Sequence, residues 1–296
     1  MILSDYLKKT FGTKVYKISL QSGCTCPNRD GTIGRGGCSF CSAGGSGDFA
    51  APLLPLKEQI AAAKEKVDGK FPKSIDPKDR RYIAYFQSYT NTYGDPERLG
   101  KLYEEAISFP EIAALSVATR PDCLPDPMLR MLAGLNEKKP VWVELGLQTI
   151  HERTAQRIGR GYKNDVFLDA VDRLYDAGLT VIVHIIFSLP GESREDMLQT
   201  VRFLAGLWPK VSGIKIQMLQ ILEGTKMAAE YKKSPFHMLT FSQYCSLTAQ
   251  AVKLLPEGMV IHRLTGDPPR RLLIAPKWCT DKKRVLNTIH KELLEG

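Results

Sequence analysis

Four of the seven cysteines in this chain lie between Cys24 and Cys41, where glycines, a proline and turn-forming residues separate them. Such a composition predicts a loop rather than a regular helix or strand. A loop that brings several thiolates together typically wraps a metal ion or an iron–sulfur cluster. Thiolate chemistry at a metal centre is therefore the first function that the sequence indicates.

The spacing of these cysteines leaves two kinds of metal centre open. Cys38 and Cys41 form a C-x2-C pair, and Cys26 lies far enough upstream to return as a third ligand. Three thiolates would leave one iron of a [4Fe–4S] cluster free to bind a small molecule, as a cluster that does chemistry requires. Cys24 is either a fourth ligand or a bystander, and C-x-C followed by C-x2-C is also a pattern of structural zinc sites. The loop alone is consistent with both.

Composition and charge narrow the class of protein. The chain has 296 residues, of which 43% are hydrophobic, and this is enough for a large core. Its 41 basic and 32 acidic residues give a formal charge of +9. A basic excess of this size suits a polyanionic partner, with RNA as the leading candidate, although it is also compatible with an ordinary solvated surface.

No segment of the sequence predicts a secretory signal or a membrane span, so we expect a cytoplasmic protein. Thiols stay reduced in that compartment, and clustered cysteines then indicate metal or redox chemistry rather than disulfides. The remaining cysteines, Cys123, Cys245 and Cys279, are scattered and are interpreted as core or surface thiols.

The elements that must position the cysteines alternate regularly between strand and helix. The strands are apolar on both faces, as strands covered by helices should be, and this predicts a single parallel βα architecture, either an open sheet or a partial barrel. Strands are predicted at 14–20, 82–86, 112–118, 141–146, 179–187 and 213–219, with one more at 259–262. Helices are predicted at 56–67, 95–108, 126–136, 164–177, 193–207, 241–255 and 281–294.

Polar residues follow each predicted strand. Ligands of parallel α/β proteins bind at the carboxyl ends of the strands, so these residues are expected to share one rim. A second segment, 262–271, carries three arginines, two prolines and a histidine. It is either a binding loop on the ligand side or an ordinary polar connection.

On these residues the chain resembles the radical SAM superfamily, and within it the YhcC/YtqA-like (MnmL-type) branch. The usual spacing of that superfamily is C-x3-C-x2-C, whereas this chain has eleven residues between Cys26 and Cys38, as the branch does. The resemblance spans roughly 14–287. It rests on the motifs Thr25-Cys-Pro-Asn-Arg-Asp-Gly-Thr32, Arg35-Gly-Gly-Cys-Ser-Phe-Cys41, Thr119-Arg-Pro-Asp-Cys123 and His262-Arg-Leu-Thr-Gly-Asp267.

This resemblance implies an α/β fold, a partial (βα)6-type radical SAM barrel with a C-terminal helical extension. The core would cover 1–235, including the cysteine loop 23–48, and the extension 236–296 would pack on the barrel. It also implies that Cys26, Cys38 and Cys41 hold a [4Fe–4S] cluster whose free iron binds S-adenosylmethionine. Cys24 lies outside this ligand pattern.

The resemblance further implies contacts to S-adenosylmethionine. Phe40 would lie near the adenine, and Gln87 and Ser88 occupy the place of a Gly-Gly-Glu segment that holds the methionine amino group. Gln148 and Arg160 match a glutamine and an arginine of the coproporphyrinogen-oxidase-like enzymes that reach the ribose and the carboxylate. In those enzymes an aspartate stands at the place of His184 and a glutamate at that of Ala118, so the second contact is missing here.

The function implied by the resemblance is generation of a 5′-deoxyadenosyl radical, with electrons from a donor such as flavodoxin or ferredoxin. The YtqA-like members are associated with the tRNA wobble uridine, where 5-carboxymethylaminomethyl-2-thiouridine is taken toward 5-aminomethyl-2-thiouridine. The net charge of +9 agrees with a tRNA partner. The alternatives are a radical enzyme acting on a porphyrin-like or other small acidic molecule, and a zinc-stapled RNA-binding module.

Overall fold

A computed structural model describes residues 1–45, 47–48, 50 and 52–295 of the chain. Ser46, within the predicted cysteine loop 23–48, and Gly296, at the end of the predicted extension, lie outside the described residues. The strands are β1 Val15–Leu20, β2 Arg81–Phe86, β3 Ile112–Thr119, β4 Val141–Gln148, β5 Thr180–Phe187, β6 Val211–Met218, β7 Ile221–Leu222, β8 Val260–Arg263 and β9 Leu273–Ala275.

The helices cover the spaces between the strands and both ends of the described chain. They are α1 Leu3–Phe11, α2 Pro27–Asp30, α3 Leu56–Asp68, α4 Pro96–Ser108, α5 Asp126–Asn136, α6 Glu152–Arg157, α7 Asn164–Asp176, α8 Arg194–Ala205, α9 Lys226–Lys233, α10 Phe241–Lys253 and α11 Lys282–Glu295. Short 3-10 helices lie at Pro77–Asp79, Pro121–Cys123 and Lys277–Thr280.

Seven strands of the described residues form one parallel sheet in the order β1-β2-β3-β4-β5-β6-β8. The order follows the chain because each βα unit places its next strand beside the previous one. The sheet curls into a half-barrel, which confirms the predicted α/β class and partial-barrel architecture. All seven strands point the same way, so their carboxyl ends meet at one rim.

Helix α1, which the sequence did not predict, lies against the amino-terminal end of the half-barrel. Its buried Leu7 and partly buried Tyr6 pack in one apolar cluster with Trp142 of β4 and Ile182 of β5. The rings of Tyr6 and Trp142 lie 6.1 Å apart. This cluster covers the amino-terminal end of the strands, on the side opposite the carboxyl-end rim.

The part of the chain after 235 contributes to the sheet as well as packing on it. Strand β8 pairs in parallel with β6, and Ile214 lies opposite Ile261. Helices α10 and α11 add Tyr244 and Val285 to the main apolar core. The boundary predicted at 235 stays a prediction, since the core is continuous across it.

One local expectation was wrong. The cysteine loop was expected to hold no helix, but Pro27–Asp30 forms a single helical turn directly after Cys26. Pro27 stands at the first position of that turn, where its fixed φ favours a helix start. Gly31 ends it with a φ of 104°, a value that glycine adopts readily.

Candidate functional site

A cavity of about 1010 Å³ lies inside the half-barrel and reaches its carboxyl-end rim. Its lining draws on β1 to β6, on β8 and on the loop after β8. Eight of the predicted site residues line it, which are Cys26, Cys38, Phe40, Cys41, Gln87, Gln148, Arg160 and His184. Ser88 does not line it. The structure therefore brings the three proposed cluster ligands together with most of the predicted S-adenosylmethionine contacts.

The helical turn after Cys26 aims two donors at the sulfurs of the other cysteines. Asn28 Nδ2 lies 3.4 Å from Cys38 Sγ, and Arg29 Nη2 lies 3.5 Å from Cys41 Sγ. The same side chains are fixed by backbone carbonyls, since Asn28 donates to Gly159 O and Arg29 to Ser42 O. Hydrogen bonds to thiolate sulfurs tune the potential of an iron–sulfur cluster.

Burial, together with the neighbouring Cys41 and Cys26, raises the pKa of the Cys38 thiol to about 11. Three thiols near one another in a buried site resist ionisation because their negative charges would repel. Bound iron supplies the positive charge that this arrangement lacks. The chemistry of the donor set thus fits a metal cluster better than three free thiols.

The segment between Cys38 and Cys41 is held by backbone hydrogen bonds to two distant parts of the chain. Ser39 N donates to Ile158 O at 2.8 Å, and Ser39 O accepts from Met227 N at 2.8 Å. Phe40 packs against a small apolar cluster that includes Ile158, Ile186 and Met227. The C-x2-C pair is therefore fixed by the turn after α6 and by α9.

Cys24 has surroundings that differ from those of the other three cysteines. Its sulfur is buried and lies 3.4 Å from Arg98 Nη2, and it does not line the cavity. Arg98 is in turn fixed by a 2.9 Å bond to Ser22 O. This placement agrees with Cys24 as a bystander to the cluster ligands.

Within the described residues, no three Cys, His, Asp or Glu side chains converge as they would around a single metal ion. A tetrahedral zinc site requires its ligands to meet at one atom. In a cubane cluster each thiolate binds a different iron, so the sulfurs can stand further apart. The three cysteines around this cavity thus fit a cluster better than zinc.

Gln148 occupies a strained position at the end of β4. Its φ is 63°, which is uncommon for a residue with a side chain, and the register of β4 against β5 shifts at this point. Tyr162 OH lies 3.4 Å from Gln148 Oε1 and also donates to Gly146 O. Backbone strain of this kind concentrates at functional sites, where the surrounding structure maintains it.

Arg160 is almost fully buried, and all five of its N–H donors are used by protein acceptors. Nη1 donates to the carbonyls of Leu147 and Thr149, and Nε donates to that of Tyr162. Nη2 reaches Glu152 Oε2 at 3.4 Å and Asn164 Oδ1 at 2.9 Å. In this arrangement Arg160 shapes the loop after β4, and contact with a ligand carboxylate would require one of these bonds to be exchanged.

His184 lies on β5 with its Nε2 buried and without a hydrogen-bond partner among the described residues. Burial, together with the nearby cations Lys215 and Arg263, lowers the pKa of this imidazole to about 3. The ring is therefore neutral at physiological pH. A buried ring nitrogen without a partner on a cavity wall is suited to receive a polar ligand atom.

Ser88 is also buried, and its Oγ has no hydrogen-bond partner among the described residues. It lies beneath Gly47, where an added Cβ would come within 1.9 Å of Ser88 Oγ and 2.8 Å of Ser88 Cα. The backbone of the cysteine loop thus approaches the segment after β2 more closely than any other residue type would permit. Gln87, which neighbours Ser88, accepts a hydrogen bond from Ser19 Oγ.

Below the rim, a cluster of charged side chains forms the floor of the cavity, and sequence reasoning missed it. Glu144 of β4 is bonded by Lys17 of β1 and by Lys215 of β6, one at each carboxylate oxygen. Ser116 donates to Glu144 Oε1 at 2.8 Å, and Lys215 donates to Tyr85 OH at 3.1 Å. The sequence feature that could have indicated this cluster is a single charged residue within each of three otherwise apolar strands.

The lysines and the carboxylate of the floor shift one another's pKa values. Burial alone would raise the pKa of Glu144, but Lys17 and Lys215 outweigh it and hold that pKa well below its usual value. Burial, together with the other cations, holds the pKa of Lys215 well below its usual value despite Glu144. Arg263 of β8 is one of those cations, and it also acts on Lys17. The floor therefore carries three basic groups against one carboxylate.

Positive charge dominates the whole cavity. Among the described residues its lining contains ten lysines and arginines against three aspartates and glutamates. Arg263 and Arg270, from the 262–271 segment, both line it, and Asp267 of the same segment pairs with Lys282 at 2.8 Å. The segment thus lies on the ligand side, as one of its two sequence interpretations predicted.

Comparison with known families decides the identity of the fold. The family model described as Radical SAM superfamily matches residues 26–204, and the Radical_SAM C-terminal domain matches residues 211–295. The chain is 43% identical to the YtqA protein of Bacillus subtilis over 98% of this chain and 88% of that protein. The chain belongs to the radical SAM superfamily. Its similarity to YhcC of Escherichia coli, 35% over 93% of this chain and 86% of that protein, confirms the predicted YhcC/YtqA-like branch.

Two solved structures share the fold. Elp3 of the archaeon Methanocaldococcus infernus matches with a TM-score of 0.67 at 18% identity, and the match covers 94% of this chain and 63% of that one. Methylornithine synthase (PylB) matches with a TM-score of 0.53 at 14% identity, over 94% and 81% of the two chains. At these identities the similarity concerns the fold.

Membership of the radical SAM superfamily confirms the predicted cofactors, a [4Fe–4S] cluster and S-adenosylmethionine. It also decides between the cluster and the zinc site that the cysteine spacing left open. The predicted role of each residue toward these cofactors stays a prediction, including the contacts of Arg160 and Ser88. Within the described residues, no helix is long and apolar enough to cross a membrane.

Proposed function

We propose that this radical SAM enzyme modifies the wobble uridine of tRNA and converts 5-carboxymethylaminomethyl-2-thiouridine to 5-aminomethyl-2-thiouridine. The observation that carries the proposal is the excess of cations in the cavity lining, which suits an anionic substrate. The net charge of +9 adds attraction to a phosphate backbone. A relative named tRNA uridine(34) acetyltransferase, from Methanocaldococcus infernus, is 26% identical over 60% of this chain and 34% of that protein.

The residues of this chain would divide the work in the following way. Cys26, Cys38 and Cys41 hold the cluster, and Asn28 and Arg29 donate hydrogen bonds to two of the sulfurs. When bound, the cluster and S-adenosylmethionine supply a 5′-deoxyadenosyl radical that takes a hydrogen atom from the substrate. The apolar packing of α1 closes the cavity at its amino-terminal end, which limits access of water to the reacting atoms.

Predicted contacts to S-adenosylmethionine line the wall of the cavity. Phe40 provides an apolar surface for the adenine, while Gln87, Gln148 and His184 offer polar atoms to the methionine and the ribose. Arg160, with its donors used by the protein, would hold the loop after β4 in shape beside them. These roles are proposed from the cavity lining and from the family resemblance.

The proposed reaction of the substrate is balanced when one electron carrier accepts one electron. The hydrogen atom leaves the glycine-derived methylene, which lies between the secondary amine and the carboxylate. The resulting carbon radical then loses one electron to a carrier of the flavodoxin or ferredoxin class and loses the N–H proton, which gives an imine. Water adds to the imine carbon, the C–N bond breaks, and the products are the 5-aminomethyl nucleoside and glyoxylate.

The test uses anaerobically reconstituted holoenzyme, S-adenosylmethionine, dithionite and tRNA that carries the carboxymethylaminomethyl nucleoside. We expect 5-aminomethyl-2-thiouridine, glyoxylate and 5′-deoxyadenosine in equal amounts, measured by mass spectrometry. With deuterium at the glycine-derived methylene, one deuterium should appear in the deoxyadenosine. Deoxyadenosine that stays free of deuterium, or tRNA that is unchanged after full turnover, would refute the proposal. A Cys38→Ala protein, which lacks a proposed cluster ligand, is the control.

A small acidic substrate is the second candidate, because arginine binds carboxylates as well as phosphates. The cationic lining that supports a nucleotide supports this alternative equally. The two differ in salt dependence, since binding of tRNA releases counterions and weakens steeply as salt rises. Equilibrium binding of tRNA between about 50 mM and 200 mM salt separates them, and a flat profile favours the small substrate.

A further inference from the structure

Among the described residues, Arg263 is the cation of the cavity floor that has no hydrogen-bond or ion-pair partner. It ends β8, where it lies opposite Lys215 of β6, and its side chain lines the cavity. Lys17 and Lys215 are both bonded to Glu144. Among the described residues, by contrast, the structure gives the Arg263 guanidinium neither a hydrogen-bond acceptor nor a carboxylate at ion-pair distance.

The position of Arg263 is deep in the half-barrel. Lys17 and Lys215 each lie three residues before the end of their strands. At the rise of an extended strand, this places the floor about 10 Å below the rim. A ligand group that meets Arg263 must therefore enter the barrel beyond the cysteines, which lie in the loop after β1.

The excess of positive charge at the floor also favours the binding of an anion. One carboxylate, Glu144, faces Lys17, Lys215 and Arg263, and the charge of Arg263 lowers the pKa values of Lys17 and Lys215. The neighbouring His184 is neutral and offers an unpaired ring nitrogen, so it does not compete for an anion. A partly buried guanidinium binds a carboxylate through two parallel hydrogen bonds, a geometry that an ammonium group cannot match.

We propose that Arg263 binds the carboxylate of the substrate's carboxymethylaminomethyl group at the cavity floor. The proposal rests on the function proposed above. In that substrate the carboxylate is bonded directly to the methylene that gives up its hydrogen. Holding the carboxylate therefore fixes the reacting C–H bond, and positioning of this kind raises reaction rates. Arg263 would then determine which wobble nucleosides the enzyme accepts.

The test measures binding rather than turnover. Holoenzyme with S-adenosylmethionine and without reductant is titrated with two tRNAs that differ only in the wobble nucleoside, one with the 5-carboxymethylaminomethyl group and one with the 5-aminomethyl group. We expect wild type to prefer the carboxylated tRNA by roughly 10- to 100-fold, the range for a charge-assisted contact. Arg263→Gln should remove that preference, and Arg263→Lys should keep part of it.

Arg271→Gln is the matched control, because Arg271 carries the same charge in the same segment but is exposed and does not line the cavity. It should leave the preference intact. Iron content and urea unfolding show whether each variant is folded. If Arg263→Gln is not folded, a full preference in the folded Arg263→Lys protein overturns the proposal and a reduced one supports it.

The outcomes separate the possible sources of the anion. If Arg263→Gln keeps the preference, the proposal is wrong, even where wild type still forms the 5-aminomethyl product under reducing conditions. If that variant loses affinity for S-adenosylmethionine and keeps the preference, Arg263 binds the cofactor's carboxylate instead. If both tRNAs weaken equally, it binds a backbone phosphate. If wild type shows no preference and no conversion, the inference and the proposed function fail together.

Discussion

Replacing Glu144 with glutamine should destabilise the fold by about 3–5 kcal/mol at pH 7, because it leaves two buried ammonium groups without a counter-charge. Glu144 is bonded to Lys17 and Lys215, and all three side chains are largely buried. Each charge-assisted hydrogen bond that is lost costs about 1.5–3 kcal/mol. The free-energy cost of the substitution has an upper limit, because Lys215 can lose its proton instead of staying charged. From its ordinary pKa of 10.5, this deprotonation costs about 5 kcal/mol at pH 7.

The loss of fold stability in the Glu144→Gln protein should depend on pH in a definite direction. The pKa of folded Glu144 lies below 4.5, so its contribution is present above pH 4.5 and is lost as the pH falls through the folded value. The pKa of folded Lys215 lies below 10.5, and removing Glu144 lowers it further. The deficit of the variant should therefore be largest near neutral pH and should narrow both below pH 4.5 and as the pH approaches 10.5.

The assay is urea unfolding followed by circular dichroism, on anaerobic holoprotein at a series of pH values. Glu195→Gln is the matched control, because Glu195 pairs with Arg202 on the exposed surface and should show no measurable change. A Glu144→Gln protein as stable as wild type at pH 7 would contradict the reasoning. So would a deficit that grows steadily with pH.

Two further predictions concern the cysteine loop. Cys24→Ala should keep the iron content and visible absorbance of wild type, whereas Cys38→Ala should lose most of both; equal loss in the two variants would make Cys24 a ligand. Gly47→Ala should lower iron loading and cost about 1–3 kcal/mol, because the new methyl group would overlap Ser88. Gly69→Ala, which has open space around it, is the control for thermal unfolding and iron analysis, and equal behaviour of the two would refute the overlap.

The sheet could be predicted from the sequence because its strands are short apolar runs that alternate with helices. Strand β5, Thr180–Phe187, is almost wholly apolar, as expected for a strand covered on both faces. Alternation also gives the strand order and the common rim, and from these the residues around the cavity follow. Helix α1 could not be predicted in this way, because no side chain caps its start and its position depends on packing under Trp142.

The cavity floor was beyond sequence reasoning for a different reason. Glu144 is separated from Lys17 by 127 residues and from Lys215 by 71, and each stands alone in its strand. A strand pattern fixes which face a residue occupies, but pairing across the barrel depends on sheet curvature. The contacts of Arg160 could not be predicted for a similar reason. The sequence places Arg160 after β4, but the conformation of the folded loop determines which acceptors its N–H groups reach.

The two backbone bonds of Ser39 link cofactor assembly to the tertiary structure. They join the thiolate loop to the turn at Ile158 and to α9 at Met227. Binding of the cluster should then also stabilise the tertiary structure, because it locks segments that are far apart in the sequence. Oxygen damage at the cluster would consequently loosen α9, nearly two hundred residues downstream of the cysteines.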